Sequence, residues 1–260
     1  MCIRDRIIGP FNGEMACGEY GDGRMADIEY ILKELDNFLK SKSSNKKYRA
    51  IVTAGPTQEY IDPVRYISNR SSGKQGYEIA KSLFNNGFDT TLISGPSKLT
   101  PDPNINLLKV NTAEEMYQRT IENLPCDVAI FCAAVGDFKV KNLKENKIKK
   151  NKDLKLDFEK NIDILKLISK NNNKPKLVIG FSAETNNLHS NSKQKLQNKG
   201  CDWIIANDIS KNDIGFDSDF NEVSIFYKDE KVEDEIISKT YKSVVADEIV
   251  KRVINQLNMI

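Results

Sequence analysis

The feature that most constrains the fold is a regular alternation of apolar runs and amphipathic stretches from Tyr48 to the C-terminus. Runs such as Asp127–Ala133 are almost wholly apolar, so they predict strands buried on both faces of a sheet. Such strands, separated by helices, predict a doubly wound, mostly parallel α/β sheet of the Rossmann-like class. Strands are predicted at residues 50–54, 90–94, 107–110, 127–133, 177–181 and 203–206, and helices at about 73–86, from 112, and at about 241–256.

The run Val223–Tyr227 alternates apolar and polar residues, which is typical of a strand with one solvated face. We expect it to be an antiparallel edge strand. Ligands of doubly wound sheets bind outside the carboxyl ends of the parallel strands, so the candidate site residues should follow those strands.

The first 47 residues have a different character. They are Gly-rich and irregular up to about Asp22, and a helix is predicted from Met25 to Leu39. Residues 41–47 read Ser-Lys-Ser-Ser-Asn-Lys-Lys, which is the composition of a linker. We therefore expect two units, residues 1–47 and residues 48–260.

Composition excludes several classes of function. A net charge of +2 gives no reason to expect a nucleic acid or a membrane as partner. The five cysteines form no Cys-x-x-Cys pair, and no signal peptide or membrane span is visible, so a reducing, cytoplasmic compartment is expected. The single histidine, His189, is expected in a solvated loop, and its isolation argues against Ser-His-Asp hydrolysis and multi-histidine metal sites.

The loop after the first strand of the main unit is the first candidate site. Ser71, Ser72 and Gly73 should lie at the N-terminus of the next helix, where backbone N–H groups and the helix dipole suit a phosphate. Gly73 and Lys74 invite comparison with a Walker A loop, but Gln75 stands where Ser or Thr is required. An ordinary capped helix start explains the same residues, so both interpretations stay open.

Further polar clusters follow later strands. Phe131–Asp137 combines small residues, which let a ligand approach the backbone, with an acid that could hold a metal or a hydroxyl or simply belong to a turn. The dense lysines between residues 139 and 155 are either a solvated charged run or a flap for phosphates. Two more polar clusters lie at the ends of predicted strands, at Gly180–Asn187 and at Ala206–Asp208. Together these clusters predict a site for an anionic ligand.

These residues also carry a family resemblance. The run Asp62-Pro-Val-Arg-Tyr-Ile-Ser-Asn-Arg-Ser-Ser-Gly-Lys-Gln-Gly76 closely resembles the signature of the bacterial phosphopantothenate–cysteine ligases. Four more runs match in the family's order: Cys-Ala-Ala at 132–134, Lys-Ile-Lys-Lys at 147–150, Gly-Phe-Ser-Ala-Glu-Thr-Asn at 180–186 and Ala-Asn-Asp at 206–208. The resemblance covers the chain from about Tyr48 onwards.

The resemblance implies a two-step ligation. A carboxylate of 4′-phosphopantothenate attacks the α-phosphate of CTP and gives an acyl-cytidylate and pyrophosphate, and the amine of cysteine then displaces CMP. Mg²⁺ neutralises the triphosphate, and no protein residue is predicted as a metal ligand. The sequence leaves the choice between CTP and ATP open.

Catalytic roles are carried over by the same resemblance. Lys147 would stabilise charge on the α-phosphate, Asn69 would position the acyl-cytidylate, and Arg65 would bind the phosphate of phosphopantothenate. The implied substrate-binding residues are Arg65, Asn69, Ser71, Ser72, Gly73 and Lys74.

The implied nucleotide-binding residues lie on later segments, and Lys195 and Lys199 share one helix face because they are four apart. Two motifs depart from the family: Ile162 replaces a proline, and Phe138 replaces a tyrosine. The nucleotide-binding set is Phe131, Cys132, Ala133, Asp137, Lys147, Asn161, Ile162, Asp163, Ile164, Phe181, Lys195 and Lys199.

The front segment resembles a second family. Residues 13–25 are similar to the end of a phosphopantothenoylcysteine decarboxylase, a flavoprotein often fused ahead of the ligase, and Cys17 matches its redox cysteine. The resemblance implies a fragment of a bifunctional protein, in which FMN belongs only to the missing decarboxylase part and no decarboxylation is expected from this chain. The ligase family also implies a homodimer.

Two other functions remain open. A non-catalytic nucleotide-binding module of the same fold would bind nucleotide without turnover, and it would be favoured if Lys147 and Asn69 were remote from each other. An NAD(P)-dependent reductase is disfavoured, because no Gly-x-Gly-x-x-Gly follows the first strand and the spacing of Tyr77 and Lys81 falls inside a predicted helix.

Overall fold

The computed structural model describes residues 7–14, 18–41, 48–149, 155–208, 210 and 218–259. Cys17, which the sequence singles out, lies outside these residues. The strands are β1 (Phe11–Glu14), β2 (Tyr20–Arg24), β3 (Arg49–Ala54), β4 (Gln58–Tyr60), β5 (Tyr66–Ser68), β6 (Asp89–Ser94), β7 (Asn106–Lys109), β8 (Val128–Phe131), β9 (Phe138–Val140), β10 (Phe158–Lys160), β11 (Leu177–Glu184), β12 (Trp203–Asp208), β13 (Phe220–Tyr227) and β14 (Glu235–Tyr241). The helices are α1 (Ile28–Ser41), α2 (Lys74–Asn85), α3 (Ala113–Glu122), α4 (Ile164–Ser169), α5 (Leu188–Lys199) and α6 (Lys242–Met259).

An eight-stranded sheet in the order β14-β13-β12-β11-β8-β3-β6-β7 organises the fold. The six strands from β12 to β7 run parallel, as the alternation of strands and helices predicts. The chain leaves β3 in one direction, to β6 and β7, and then returns to the other side with β8, β11 and β12. This reversal places the topological switch point between β3 and β8, where such sheets open a crevice.

Helices cover both faces of the sheet because successive residues of a buried strand point to opposite sides. Ala50 and Val52 of β3 pack into the cluster that contains α2 and α6, whereas Ile51 packs into the cluster that contains α3, α4 and α5. The apolar runs that predict the strands therefore supply side chains to the hydrophobic core on both faces of the sheet.

The prediction of an antiparallel strand near residues 223–227 is confirmed, but its expected position at the edge is wrong. β13 pairs antiparallel with β12 on one side and with β14 on the other. β14 is the edge strand; only Ile237 of its seven residues is buried, so its sequence carries little apolar signal.

Two expectations for local structure are also corrected. The front segment is not wholly irregular, because β1 and β2 form an antiparallel hairpin ahead of α1. His189 does not lie in a loop: it stands in the first turn of α5, exposed, with its Nε2 3.3 Å from Asp234 Oδ2.

Two small hairpins stand outside the main sheet. β4 pairs with β5, and β9 pairs with β10, both antiparallel. We use the name lysine arm for residues 141–149 and 155–157, the described part of the loop between β9 and β10. Among the described helices, none combines the length and the apolar character needed to cross a membrane.

Candidate active site

Two cavities lie at the carboxyl ends of the parallel strands, one on the face of the sheet that carries α2 and the other on the face that carries α4. The α2 cavity, of about 390 Å³, is bordered by the start of α2, by the segment that follows β8 and by the last residues of β11. The α4 cavity, of about 500 Å³, is bordered by the start of α4, by the end of β8 and by one face of α5. Five residues line both cavities and form their shared wall: Ala133, Val135, Asp137, Phe181 and Lys195.

The floor of this cleft is built from backbone hydrogen bonds between the ends of β3 and β8. Cys132 N donates to Thr53 O at 3.2 Å, and Ala134 N donates to Gly55 O at 2.9 Å. The chain then returns, with Thr57 N donating to Ala134 O at 3.2 Å. The small residues Cys132, Ala133 and Ala134 border the α2 cavity, and the close approach of a ligand to this backbone stays a prediction.

Glycines bring α2 against the floor. A Cβ atom on Gly73 would lie 3.1 Å from Gly55 N, and one on Gly76 would lie 2.6 Å from Ala54 Cβ. Gly73 is also the N-cap of α2, with φ +82°, and has no side chain to cap this helix end. The hydroxyl oxygens of Ser71 and Ser72 accept from Gly73 N at 3.3 Å and from Lys74 N at 3.5 Å. Lys74, Gln75 and Gly76 border the α2 cavity, which places the positive end of the helix dipole beside it.

The wall of the α2 cavity opposite β8 contains residues that the sequence did not indicate. Asn221 Nδ2 donates to Gln75 Oε1 at 3.0 Å, and Gln75 Nε2 donates to Lys242 O at 3.2 Å. Lys242 lines the cavity although it is only 6% exposed. Asn207, in the predicted cluster at the end of β12, completes this wall.

The shared wall carries the cation nearest to both cavities, Lys195. Its Nζ lies 2.6 Å from Glu184 Oε1 and 2.8 Å from Ser182 Oγ. Burial alone would raise the pKa of Glu184, but hydrogen bonds from Lys195, Ser182 and Asn191 together lower that pKa below its ordinary value. Glu184 is therefore a charged partner that holds Lys195.

The α4 cavity gathers the segment in which Ile162 replaces a proline. Asp163 still caps α4, because its Oδ1 accepts a hydrogen bond from Lys166 N at 3.1 Å. The N–H group that a proline would lack is also satisfied, since Ile162 N donates to Asn161 Oδ1 at 2.9 Å. Lys199 Nζ reaches Asp163 Oδ2 at 2.6 Å.

Asn161 has a donor to spare in this cavity. Its Nδ2 is buried and has no hydrogen-bond partner within the described part of the chain. A buried donor left unsatisfied costs free energy, so an acceptor atom of a ligand in the α4 cavity would be stabilised there.

Lys147 lies on the lysine arm, exposed, and lines neither cavity. The arm is fastened beside it by Asp62, whose side chain is fully buried: its Oδ2 accepts from Ile148 N at 3.1 Å. Arg65 binds the same carboxylate, and its Nη2 donates to Ile148 O at 3.2 Å. The Arg65 hydrogen bond, opposed by burial and aided by backbone N–H donors, lowers the pKa of Asp62 below its ordinary value.

Most of the predicted site residues are thus brought together. Asn69 borders the α2 cavity, where its Nδ2 donates to Val135 O at 3.0 Å. Ser71, Gly73, Lys74 and Cys132 border the same cavity, whereas Phe131, Asn161, Ile162, Asp163, Ile164 and Lys199 border the α4 cavity, and Ala133, Asp137, Phe181 and Lys195 border both. Arg65, Ser72 and Lys147 border neither.

The site offers no obvious thiol nucleophile or protein-held metal. Burial raises the pKa of Cys132 to about 12, so its thiol is neutral near pH 7. No group of three or more His, Cys, Asp or Glu side chains within the described ranges could hold a metal ion. The cationic and amide side chains that line the cleft, such as Lys195, Lys199 and Asn161, are suited to binding and polarising anions.

The fold and the site define a class: an α/β protein with a Rossmann-like sheet and a two-cavity, cation-bearing cleft at its switch point. The chain belongs to the family described as the DNA/pantothenate metabolism flavoprotein C-terminal domain, which matches residues 45–257.

Known proteins are similar over most of the chain. The coenzyme A biosynthesis bifunctional protein CoaBC of Haemophilus influenzae is 41% identical over 224 residues, which are 85% of this chain and 56% of that protein. The CoaBC protein of Vibrio vulnificus is 36% identical over 251 residues, 95% of this chain and 62% of that protein. The crystal structure of the C-terminal domain of a CoaBC protein superimposes with a TM-score of 0.69 at 33% identity, covering 84% of this chain and all of that domain. The chain thus spans roughly three fifths of the length of these curated relatives.

Proposed function

We propose that this chain acts in coenzyme A biosynthesis as a ligase that joins 4′-phosphopantothenate to the amino group of L-cysteine, with CTP as the activating nucleotide. The observation that carries the proposal is the pair of cavities with one shared wall. A reaction between an acid and a nucleotide needs both bound side by side, with a cation where they meet, and Lys195 provides that cation.

The α4 cavity is the proposed nucleotide site. Lys199 and Lys195 supply positive charge for the phosphates, and the unpaired Nδ2 of Asn161 supplies a donor for the base or sugar. The α2 cavity is the proposed site of the acid substrate, since the backbone N–H groups and the positive dipole end at the start of α2 suit its phosphate group.

In the first proposed step, a carboxylate oxygen of the acid forms a bond to the α-phosphorus of CTP. The bond from that phosphorus to the bridging oxygen breaks, and its electron pair leaves with pyrophosphate. Negative charge builds on the α-phosphate, where Lys195 on the shared wall and Lys147 on the lysine arm would stabilise it.

In the second proposed step, the cysteine amine attacks the acyl carbon of the acyl-cytidylate. The carbon–oxygen bond to the phosphate breaks, CMP leaves with the electron pair, and the amine loses a proton. Asn69 would hold the activated acid for this attack, because its amide is fixed on Val135 O beside the α2 cavity.

The donor set of the site fits a magnesium ion that arrives with the triphosphate. Mg²⁺ in nucleotide sites is usually held by one or two carboxylates together with phosphate oxygens. Asp137, an exposed carboxylate on the shared wall, is the residue that would face it. Magnesium would neutralise phosphate charge and so assist the departure of pyrophosphate.

The names of the two relatives support the proposed pathway, because both are called coenzyme A biosynthesis bifunctional proteins. The alignment with the Vibrio protein covers 251 residues, which is more than the family model matches between residues 45 and 257. The similarity therefore also includes part of residues 1–47. This is consistent with the expected decarboxylase remnant in residues 1–47. A homodimer and a cytoplasmic location complete the proposal.

The proposal is tested by pyrophosphate release from CTP with 4′-phosphopantothenate and Mg²⁺, with and without cysteine. Wild type should turn over continuously only with cysteine. Lys147→Gln should lower the rate about 100-fold or more, and Asn69→Asp should release a single burst. Lys149→Gln is the matched control, because Lys149 is equally an exposed lysine beside Ile148. Continuous release by Asn69→Asp at the wild-type rate would contradict its role.

A second candidate, a non-catalytic nucleotide-binding module, is favoured by one observation: Lys147 lines neither cavity. The same assay separates the two functions. A module binds CTP in equilibrium dialysis but releases no pyrophosphate with either CTP or ATP, whereas a ligase releases pyrophosphate only when the acid substrate is present.

A further inference from the structure

Lys195 is held differently from the other paired lysines of α5. Lys199 pairs with Asp163, which itself lines the α4 cavity, and Lys193 pairs with Asp234 away from both cavities. The partner of Lys195 is Glu184, which is 8% exposed and is not among the residues that line either cavity. Glu184 therefore contacts Lys195 from behind the cavity wall.

The carboxylate of Glu184 is engaged by protein donors on both oxygens. Its Oε1 accepts from Ser182 Oγ at 2.5 Å as well as from Lys195, and its Oε2 accepts from Asn191 Nδ2 at 3.1 Å. Ser182 is 5% exposed, and its oxygen also accepts a hydrogen bond from Lys195 Nζ at 2.8 Å. Two acceptors thus fix the direction of one ammonium group.

The sequence explains how this network forms. Ser182 and Glu184 are two apart on β11, so their side chains leave the same face of the strand. Asn191 and Lys195 are four apart on α5, so they share one face of the helix. The strand and the helix that follows it therefore present two residues each to one hydrogen-bonded cluster, in which Ser182 and Glu184 are buried.

We propose that Glu184, acting with Ser182, is the positioning residue that holds the ammonium group of Lys195 where the two cavities meet. This inference deepens the proposed function and rests on it. A free lysine samples many rotamers, whereas Glu184 and Ser182 keep this charge beside the α-phosphate before the acid attacks. Glu184 touches neither substrate and transfers no proton, and Lys195 stays protonated while pyrophosphate leaves.

The first test is a double-mutant cycle on pyrophosphate release with CTP, 4′-phosphopantothenate, cysteine and Mg²⁺. Lys195→Met should lower kcat about 100-fold, and Glu184→Gln about tenfold, with a smaller change in the KM for CTP. The double variant should be no slower than Lys195→Met, because Glu184 acts through Lys195. Lys193→Met, on the same helix, and Asp234→Asn, at the partner of Lys193, are the matched controls, and both should keep kcat within about twofold of wild type.

Two results would overturn the inference. One is wild-type kcat in Glu184→Gln. The other is a further tenfold loss of kcat when Glu184→Gln is added to Lys195→Met. That loss would mean that Glu184 supports the structure independently of Lys195. Circular dichroism shows whether the Glu184→Gln variant folds. If it does not fold, Asn191→Ala is used in its place, because that change removes one hydrogen-bond donor to Glu184 and leaves the carboxylate charge of Glu184 intact.

A second measurement does not depend on turnover. In ¹⁵N NMR of lysine side chains, an ammonium group held by buried acceptors exchanges its protons slowly and gives a visible signal, which should be lost in Lys195→Met and weakened in Glu184→Gln. If wild type makes no pyrophosphate, the proposed function fails, and this signal alone decides the inference. A Lys195 signal unchanged in Glu184→Gln would contradict it.

Discussion

The floor of the cleft and the lysine arm are fixed in different ways. The floor is held by backbone hydrogen bonds between Thr53, Gly55 and residues 132–134, whereas the arm is held beside Ile148 by the side chains of Asp62 and Arg65. A structure held by backbone atoms tolerates most side-chain changes but not a backbone clash. The arm also has a backbone hydrogen bond from Lys144 N to Ile61 O at 3.2 Å, but beside Ile148 it depends on one buried carboxylate, and that part should lose its position when the side chain is changed.

The largest effect should come from a backbone clash next to the floor. A Cβ atom on Gly95 would lie 1.7 Å from Pro56 O, so Gly95→Ala must displace the chain between β3 and the floor. We expect a loss of about 3 kcal/mol in the free energy of unfolding, measured by urea denaturation.

Gly87→Ala is the control for this prediction. It introduces the same methyl group where no atom lies within 4 Å, although at a φ of +84°. It should cost only about 1 kcal/mol, from backbone conformation alone. Equal losses in the free energy of unfolding for the two variants would show that the floor can move, and would contradict the view that its backbone is rigidly fixed.

The next effect concerns the arm. Asp62→Ala removes the acceptor of Ile148 N and leaves Arg65 without its carboxylate, so the segment that carries Lys147 should lose its position. We expect pyrophosphate release to fall about 100-fold, as for other misplaced catalytic groups, in a protein whose circular dichroism is close to wild type.

Thr57→Val is the matched change on the floor. It removes one side-chain acceptor, that of Gly136 N at 2.9 Å, while the backbone bond from Thr57 N to Ala134 O remains. It should cost about 1 kcal/mol of stability and leave the rate within about threefold. A larger loss of rate in Thr57→Val than in Asp62→Ala would reverse the comparison.

The smallest effect is the acid dependence of the arm's anchor. The pKa of Asp62 is lowered in the folded state, so the unfolded chain binds its proton more readily. The stability that this carboxylate contributes is therefore complete above its ordinary pKa of about 4 and is lost as the pH falls below that value. Asp62→Asn lacks this dependence, so the free energy of unfolding should fall less steeply between pH 5 and pH 3 than in wild type. Urea denaturation at each pH measures it, and parallel curves would contradict it.

Sequence reasoning predicted the parallel strands because burial on both faces leaves an unmistakable apolar run, as in β3 and β8. It missed β14, whose residues are mostly exposed. It also missed Asn221 and Lys242 as cavity residues, because site residues were expected only after parallel strands. β13 runs antiparallel to β12, so the start of β13, with Asn221, lies at the same sheet edge as the carboxyl ends of the parallel strands. Lys242 directly follows the end of β14.

The role of Asp62 could not be predicted for another reason. Its partner Ile148 is 86 residues away, and no local pattern announces that pairing. Arg65 was expected at a substrate phosphate, and that role stays a prediction; the structure adds that its guanidinium already engages Asp62 and the arm. The helix predicted from residue 112 is the opposite case: a Thr followed three residues later by a Glu is a local signal for a helix start, and Thr112 Oγ1 accepts from Glu115 N at 3.2 Å.

The shared wall has a consequence for how this cleft can change in evolution. Asp137, Phe181 and Lys195 face both cavities, so a substitution at any of them changes the shape or charge of both cavities at once. Residues that face one cavity, such as Asn161 or Lys242, can change without altering the other cavity. The seam of the cleft is therefore its most constrained part, and its two flanks are where new specificities can arise.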